Sequence, residues 1–506
     1  MKVSFLLAEA AYPYTVLGDK TLFSQAELTE LTYDSRTASP DTGFVCLSGV
    51  RTDGHAYAEK AYALGCRVFF VERTLALPGD AVQILVNNTR AALPYLSDAL
   101  FSHPQKELCI IGVTGTKGKT TVTNLIASVL NASGRDAGTI GTIGISYHGK
   151  TSPTVNSTPE SYVLHKTFRE MADAGVRYVV MEVSSQAMFT YRVDGIRFDA
   201  AVFTNLTKDH VGEGEHPTFE HYKDCKKRLF SRCDYALLNA DSPYSAEFAA
   251  ACACPHETFS RADGINADFR AENIQPWKHD TALGIAFDVR ELGQLCGNCS
   301  LRLPGVFNAE NALAAAGILR HLGLTWQEIL PPLAKAAVPG RFEILDALPF
   351  CTVVLDYAHN GMSMESLLST VRSYQPKRIL CVYGSVGGRT YERRRELASV
   401  SGDLADFCII TTDNPDFEDP EQIVNEIASY YTEDSCPHLT IVDRKEAILR
   451  ALSMALPGDI LLFCGKGHET YQIVRGARVP FSEKEIISSA CAEMWTQPQK
   501  AAVVSK

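Results

Sequence analysis

The chain reads as an α/β protein of three domains, the central one doubly wound about a mostly parallel sheet and the last Rossmann-like. Three observations carry that reading. Apolar, strand-like runs alternate with helices from Leu31 to Cys464, a rhythm that builds parallel sheets covered by helices on both faces. At 506 residues the chain exceeds what a single hydrophobic core serves. Punctuation at His103-Pro104 and Val338-Pro339-Gly340 divides it into expected domains of 1–105, 106–338 and 339–506.

In the first segment, strands are expected at 44–47, 68–71 and 84–86, with a helix over 56–64, making a compact α/β unit. The second opens with the apolar strand 108–111, a glycine-rich turn from Gly112 to Thr121, and a helix whose Leu125, Ile126, Val129 and Leu130 share one face. Strands at 178–183 and 200–203 continue the alternation. Residues 241–303 alternate polar and apolar and are expected to form a small β-region, followed by an alanine-rich helix over 308–322. Buried strands are expected in the third segment at 353–355, 379–383, 407–411 and 460–464, and residues 497–506 read as a fraying tail.

A hydrophobic fraction of 46% with 21% charged residues is that of a globular protein rather than a disordered one. The formal net charge of −11 argues against general nucleic-acid binding, so the run Arg393-Arg394-Arg395 either meets an anionic ligand or is solvated. Neither a signal peptide nor an apolar run of membrane-spanning length is read, and no membrane partner is expected. Fifteen cysteines, an odd number spread through strands and helices, suit a reducing compartment, hence the cytoplasm. Cys252 and Cys254 with Cys296 and Cys299 could form a four-thiolate zinc site, but the Cys-x-Cys spacing favours two unrelated thiol pairs.

The turn Gly112 to Thr121 carries the chemistry. Gly115 and Gly118 let backbone N–H groups converge on phosphate oxygens; Lys119 would neutralise them and the Thr120 hydroxyl could ligate magnesium. The general phosphate-loop pattern wants a glycine where this chain has Val113. Glu182 ends the strand 178–183 and His210 follows Asp209, so either could complete an oxygen- or imidazole-donor magnesium shell. Read bottom-up, a capping glutamate and a loop histidine are the alternatives.

Seven stretches occur in order: Gly112 to Thr121; Met181-Glu182-Val183-Ser184-Ser185; Thr204-Asn205-Leu206 with Asp209-His210; Asn308 to Asn311; Gly340-Arg341-Phe342-Glu343; Asp356-Tyr357-Ala358-His359; and Gly465-Lys466-Gly467-His468-Glu469. Together they resemble the motifs of the Mur ligases, most closely the UDP-N-acetylmuramoyl-tripeptide synthetases. That resemblance spans about Asp34 to Gln472. It implies a UDP-sugar-binding first domain, a central ATPase domain, and a C-terminal domain that closes on ATP and the amino-acid substrate. The implied reaction uses ATP to activate the D-glutamate side-chain carboxylate of UDP-MurNAc-L-Ala-D-Glu as an acyl phosphate, which a diamino acid then attacks. A displaced first glycine is no defect in this family, whose core is Gly-Thr-x-Gly-Lys-Thr.

Carried over residue by residue, Gly115, Thr116, Lys117, Gly118, Lys119, Thr120 and Thr121 would cradle ATP. Asn311 would approach the adenine or ribose, Arg341 the γ-phosphate, and Asp356 and His359 the nucleotide on closure. Thr120, Glu182, His210 and a carbamylated Lys226 would hold magnesium, with two ions implied. Ser35 and Arg36 resemble the uracil-side contacts; Ser157, Thr158, Ser184 and Arg192 resemble the grip on the UDP-sugar and its peptide. Asp413, Asn414, Asp416 and Glu469 would meet the amino acid. Diaminopimelate-adding members carry Asp-Asn-Pro-Arg where this chain has Asp413-Asn414-Pro415-Asp416, so L-lysine is the expected amine, with meso-diaminopimelate or L-ornithine as alternatives. Gln186 and Lys117 also resemble lysine-adding members. Folylpolyglutamate synthetase shares the phosphate loop but needs no UDP-sugar domain. A regulatory phosphate-loop ATPase, the reading of another class, leaves Lys226, Arg341 and the third domain without a role. The expected assembly is a monomer.

Overall fold

The computed structural model describes residues 1–49, 52–209, 211–212, 215–388 and 391–494. These form two compact units, Met1–Phe269 with Leu313–Thr325, and Arg270–Ala312 with the chain from Trp326 onward.

The first unit holds two sheets. One runs Thr15–Leu17, Val82–Leu85, Val68–Val71, Thr42–Val45, Glu30–Thr32, parallel throughout except at its first edge. The strand expected at 44–47 begins two residues earlier because Thr42 and Gly43 pair with Glu30 and Leu31. The helix expected over 56–64 is split, since the Asp53 carboxylate caps His55 N–H and tightens Gly54–Tyr57 into a 3₁₀ turn before the helix Ala58–Ala63. The helix Val3–Ala10 had no counterpart in the sequence reading.

The larger sheet orders His256–Ser260, Ala236–Asn239, Ala200–Phe203, Cys109–Thr114, Tyr178–Glu182 and Ala137–Gly141 in parallel. An antiparallel edge of Gly144–Tyr147 and Lys150–Ser152 follows. Its inner strands are apolar on both faces, as burial between two helical layers requires: Ile110, Ile111, Val113, Val179 and Val180 are wholly inaccessible. Register does the positioning. Glu182 lies opposite Val113, and Phe203 lies opposite Thr114. Three strands therefore end at one level around the phosphate loop, at the carboxyl edge where α/β sheets bind ligands.

The second unit contains a meander of Phe269–His279, Ala282–Glu291 and Gln294–Leu301, as the alternation over 241–303 predicts. It also has a six-stranded sheet ordered Glu343–Leu345, Thr352–Asp356, Ile460–Cys464, Ile379–Tyr383, Phe407–Ile410, His438–Thr440. Only its first edge is antiparallel. A hairpin, Tyr471–Val474 with Ala477–Pro480, is an element the sequence reading lacked. No helix among the described residues is long and apolar enough to cross a membrane.

Candidate active site

In the first unit the site is built on the loop between the strand Cys109–Thr114 and the helix Lys119–Ala132. Gly118 takes φ +86° at the helix entrance, and Gly115 takes φ +147° against the end of the strand Ala200–Phe203. A Cβ on Gly115 would lie 2.0 Å from Thr204 Oγ1 and 3.0 Å from the Asn205 backbone. Thr204 cannot retreat freely, because its hydroxyl donates to Lys117 O at 2.6 Å. Gly115→Ala is therefore expected to cost about 3 kcal/mol or more, from backbone strain and overpacking together. A lowered urea midpoint with loss of nucleotide binding would show it.

Asn205 completes the loop's support: its Oδ1 accepts from Lys117 N–H at 2.9 Å and its Nδ2 donates to Lys117 O at 3.1 Å. Thr116 Oγ1 lies 3.0 Å from the Tyr222 hydroxyl and accepts from Thr207 N–H. Lys117 pairs with Asp209 at 3.8 Å.

Two lysines converge on one carbonyl. Lys119 Nζ donates to Gly115 O at 2.8 Å and Thr116 O at 3.0 Å, and Lys226 Nζ donates to Gly115 O at 2.9 Å. Lys226 is 2% exposed and stands 4.6 Å over the Tyr222 ring. Burial, then the nearby Lys119 charge, holds its amine well below the ordinary lysine range.

Beside them Glu182 is also buried. Its Oε1 accepts from Thr120 Oγ1 at 2.9 Å and Thr142 N–H at 2.7 Å, and its Oε2 from Thr142 Oγ1 at 3.1 Å. Oxygen donors on Thr120 and Glu182 this close together suit a hard cation such as magnesium; the Lys226 amine fits only once converted to an oxygen ligand. His210 lies outside the described residues.

A second cluster in this unit joins expected UDP-sugar residues. Thr158 Oγ1 donates to Glu182 O at 2.9 Å and accepts from Ser184 N–H at 3.0 Å, while Arg192 donates to Thr158 O at 3.0 Å. Ser157 Oγ lies 2.6 Å from Thr142 Oγ1. Glu160 pairs with both Arg90 and Arg192, at 3.2 and 3.7 Å. Arg90, seventy residues before Glu160 in the chain, gave no signal in the sequence. Ser35 is buried, and the exposed Arg36 turns back to pair with Asp34 at 2.6 Å.

The second unit gathers the remaining residues. Asp356 accepts from Phe342 and Ala358 N–H, both at 2.7 Å, and burial pushes its carboxyl up although Arg341 opposes the shift. Arg341 stands 4.8 Å over the Tyr357 ring, and its buried Nε finds no hydrogen-bond acceptor among the described residues. His359 Nδ1 is 2.7 Å from Tyr357 O. Asn311 donates to Asn308 Oδ1 at 2.8 Å. Lys466, fully buried, donates to Asn414 Oδ1 at 2.8 Å and Glu469 Oε2 at 2.6 Å, with Asp413 at 3.7 Å. Asn414 also donates to Glu469 at 3.2 Å, and Tyr357 reaches Glu469 at 3.3 Å.

Asp416 sits apart from that set. It takes φ +53°, and its Oδ1 accepts from Gly476 N–H at 2.8 Å, pinning the turn of the hairpin 471–480. Arg394 corrects the solvated reading of the arginine run: it is 1% exposed and pairs with Glu418 at 2.7 Å and Glu426 at 2.5 Å. The four cysteines for which a zinc site is the less favoured reading are not gathered into one cluster among the described residues. Cys254 faces Cys233 at 3.5 Å, and none of the four belongs to a cluster of metal-ligating side chains.

A parallel sheet opening into a phosphate loop, with the buried Lys226 and Glu182 beside it, is the arrangement of a nucleotide-using α/β enzyme of three domains. The chain matches the Mur ligase family catalytic domain over residues 27–101, the Mur ligase middle domain over 113–319, and the Mur ligase glutamate ligase domain over 340–467. It is 38% identical over 482 residues to a UDP-N-acetylmuramoyl-L-alanyl-D-glutamate–2,6-diaminopimelate ligase of Geobacillus kaustophilus, covering 92% of this chain and 95% of that one. A Clostridium botulinum protein of the same name is 35% identical over 501 residues, covering 98% of this chain and 100% of that one. A solved structure of a ligase of that name matches with TM-score 0.67 at 26% identity, over 95% of this chain and 98% of the other. The chain belongs to the Mur ligase family, whose members are ATP-dependent ligases.

Proposed function

We propose that the chain is a tripeptide synthetase, forming an amide between a diamino acid and the D-glutamate side-chain carboxylate of UDP-MurNAc-L-Ala-D-Glu. The observation that carries this is the convergence of Lys119, Thr120, Glu182 and Lys226 on the phosphate loop, in a chain similar almost end to end to named ligases of that substrate.

The carboxylate attacks the γ-phosphorus of ATP, giving an acyl phosphate and ADP. The amine then adds to the acyl carbon, and the tetrahedral intermediate expels phosphate. Both reactants of the first step are anionic, so the site must screen their repulsion and hold them in line. Lys119 and the loop N–H groups would hold the phosphates, and Arg341, whose Nε meets no acceptor among the described residues, the γ-phosphate. Thr120, Glu182, His210 and Lys226 would hold magnesium, which when bound supplies further positive charge. A neutral buried amine is the form that adds carbon dioxide, and the resulting carbamate would give Lys226 the oxygen donors it lacks. Thr158, Ser184, Arg192 and Ser157, with Ser35 and Arg36, are assigned to the UDP-sugar and its peptide. Asn311, Asp356 and His359 are assigned to the nucleotide, and Asp413, Asn414 and Glu469 to the amine. We infer domain boundaries near 106 and 339, a monomeric state and a cytoplasmic setting.

For the amine, the names of the relatives support meso-diaminopimelate. L-Lysine is the second reading, favoured by Asp416 where the diaminopimelate-adding pattern has arginine; the hydrogen bond from Gly476 to Asp416 weakens it by committing that carboxylate to the hairpin. With ATP, magnesium and UDP-MurNAc-L-Ala-D-Glu, phosphate release is expected with meso-diaminopimelate and at least tenfold less with L-lysine or L-ornithine, about 1.4 kcal/mol of discrimination. Turnover confined to lysine would reverse the assignment. ATP hydrolysis indifferent to the UDP-sugar would remove the ligase reading altogether.

A further inference from the structure

On the helix that carries Lys226 lies a cluster that the ligase chemistry does not use. His221 and Cys225 stand one turn apart on the helix Phe219–Lys227, and His216 precedes that helix. Their ligating atoms all lie within 4.8 Å of one another. His216 Nδ1 is 2.9 Å from His221 Nδ1, and Cys225 Sγ is 3.9 Å from both nitrogens of His221. We propose that His216, His221 and Cys225 form a three-ligand site for a soft or borderline divalent cation of the zinc class, with a fourth position open to water.

The donor set selects the metal. Two imidazoles and a thiolate suit zinc or cobalt and are poor ligands for magnesium, so this site and the oxygen-donor site at Thr120 and Glu182 sort different ions. Tetrahedral bonds of about 2.0 Å to nitrogen and about 2.3 Å to sulfur place ligand atoms roughly 3.3–3.7 Å apart. The observed 2.9 and 3.9 Å bracket that range, and the third pair lies within 4.8 Å.

The surroundings also resemble a prepared site. His216 Nε2 is 2.9 Å from Ser185 Oγ, a contact that can keep the proton on Nε2 and leave the Nδ1 lone pair for the metal. Phe189 packs edge-on against His221 at 4.8 Å between ring centroids, and the His216 ring meets Tyr222 at 5.3 Å, walling one side with aromatic carbon. His216 and Cys225 are buried while His221 is partly exposed, which leaves an entry path. On binding, the Cys225 thiol loses its proton to solvent as the metal–sulfur bond forms, and the proton shared between His216 Nδ1 and His221 Nδ1 moves to His221 Nε2, so that both Nδ1 lone pairs reach the metal.

Cobalt(II) titration of the reduced, full-length protein, followed by absorption spectroscopy, tests this independently of activity. One equivalent should produce a thiolate-to-cobalt charge-transfer band together with the visible transitions of a tetrahedral ion. Zinc should abolish both. Cobalt at the Thr120 and Glu182 site has no sulfur ligand and gives no such band. Cys225→Ser should remove the charge-transfer band, and His221→Ala should weaken cobalt binding by about tenfold or more. Cys254→Ser should leave the spectrum intact. Absence of the band in the unmodified protein, or its persistence in a folded Cys225→Ser protein, would overturn the site.

Discussion

Replacing Lys226 with alanine is expected to lower ligase turnover by about a hundredfold or more, the scale seen when one group stabilising transition-state charge is removed. Added formate or acetate should restore part of it, because a small carboxylate can enter the space of the lost side chain and supply the oxygens assigned to the carbamate. Depleting carbon dioxide should inhibit the unmodified protein and leave Lys226→Ala unaffected. The pH dependence has a definite sign. Burial and Lys119 lower the Lys226 pKa, so the amine is neutral and able to form a carbamate above that lowered value, and acidification through it should abolish the modification. In the uncarbamylated protein the unfolded chain binds the extra proton from the lowered pKa up to the ordinary lysine range. Folding stability therefore rises with pH across that window. Lys226→Met, which leaves no amine to neutralise, should be more stable than carbon dioxide-free wild type at neutral pH, with the difference shrinking as pH rises. Rescue that fails with every short carboxylate, while the variant remains folded and binds ATP, would remove carbamylation from the account.

Much of the central architecture was legible because strands buried on both faces are written as nearly unbroken apolar runs. Ala200–Phe203, Ile379–Tyr383 and Ile460–Cys464 coincide with the runs that predict them. The phosphate loop was legible for a different reason: its glycines answer to backbone geometry, as Gly115 does against Thr204. Clusters assembled from distant segments were legible only through the family resemblance, which groups Asp413, Asn414 and Glu469. Lys466 meets Asn414 across 52 residues and Glu469 meets Asn414 across 55, so no local pattern announces the set. Arg394 was hidden among like neighbours. In the helix Tyr391–Leu404 it shares a face with Leu397, Ala398 and Ser401, and that periodicity turns one arginine of the run inward. Asp416 shows the limit of charge arguments made without coordinates, since its electrostatic reading depends on a carboxylate that the hairpin already holds.

Arg444→Met is expected to destabilise the protein by about 3–5 kcal/mol, the cost of leaving one member of a buried ion pair alone. Arg444 begins the helix Arg444–Ser453, where a cation opposes the helix dipole. It is nevertheless fully buried because every branch of its guanidinium is engaged. Nε pairs with Glu483 at 2.9 Å, one terminal nitrogen donates to Thr412 O at 3.0 Å, and the other to Cys464 O at 2.7 Å. Those two carbonyls lie immediately before Asp413-Asn414 and Gly465-Lys466. Arg444 is thus a positioning residue that fixes the spacing between the two segments assigned to the amino-acid substrate. Met keeps the apolar bulk and removes all three hydrogen bonds. Glu483, already pushed up by burial and with no partner on Oε2 among the described residues, would then take up a proton in the folded state. With its folded pKa above its unfolded one, stability of the variant should increase as pH falls through that raised value, over a wider pH span than in the intact protein, where Arg444 opposes the upward shift. The paired variant Arg444→Met/Glu483→Leu should regain most of the lost stability, because no buried charge remains. It should not regain function in proportion: KM for the amine should stay elevated while KM for ATP moves little, since the tie between Thr412 and Cys464 is still missing. Denaturation midpoints and paired KM measurements on the three proteins separate these effects. A single variant that loses less than about 1 kcal/mol, or a double variant that recovers both stability and amine affinity, would show that the guanidinium holds neither the core nor the site.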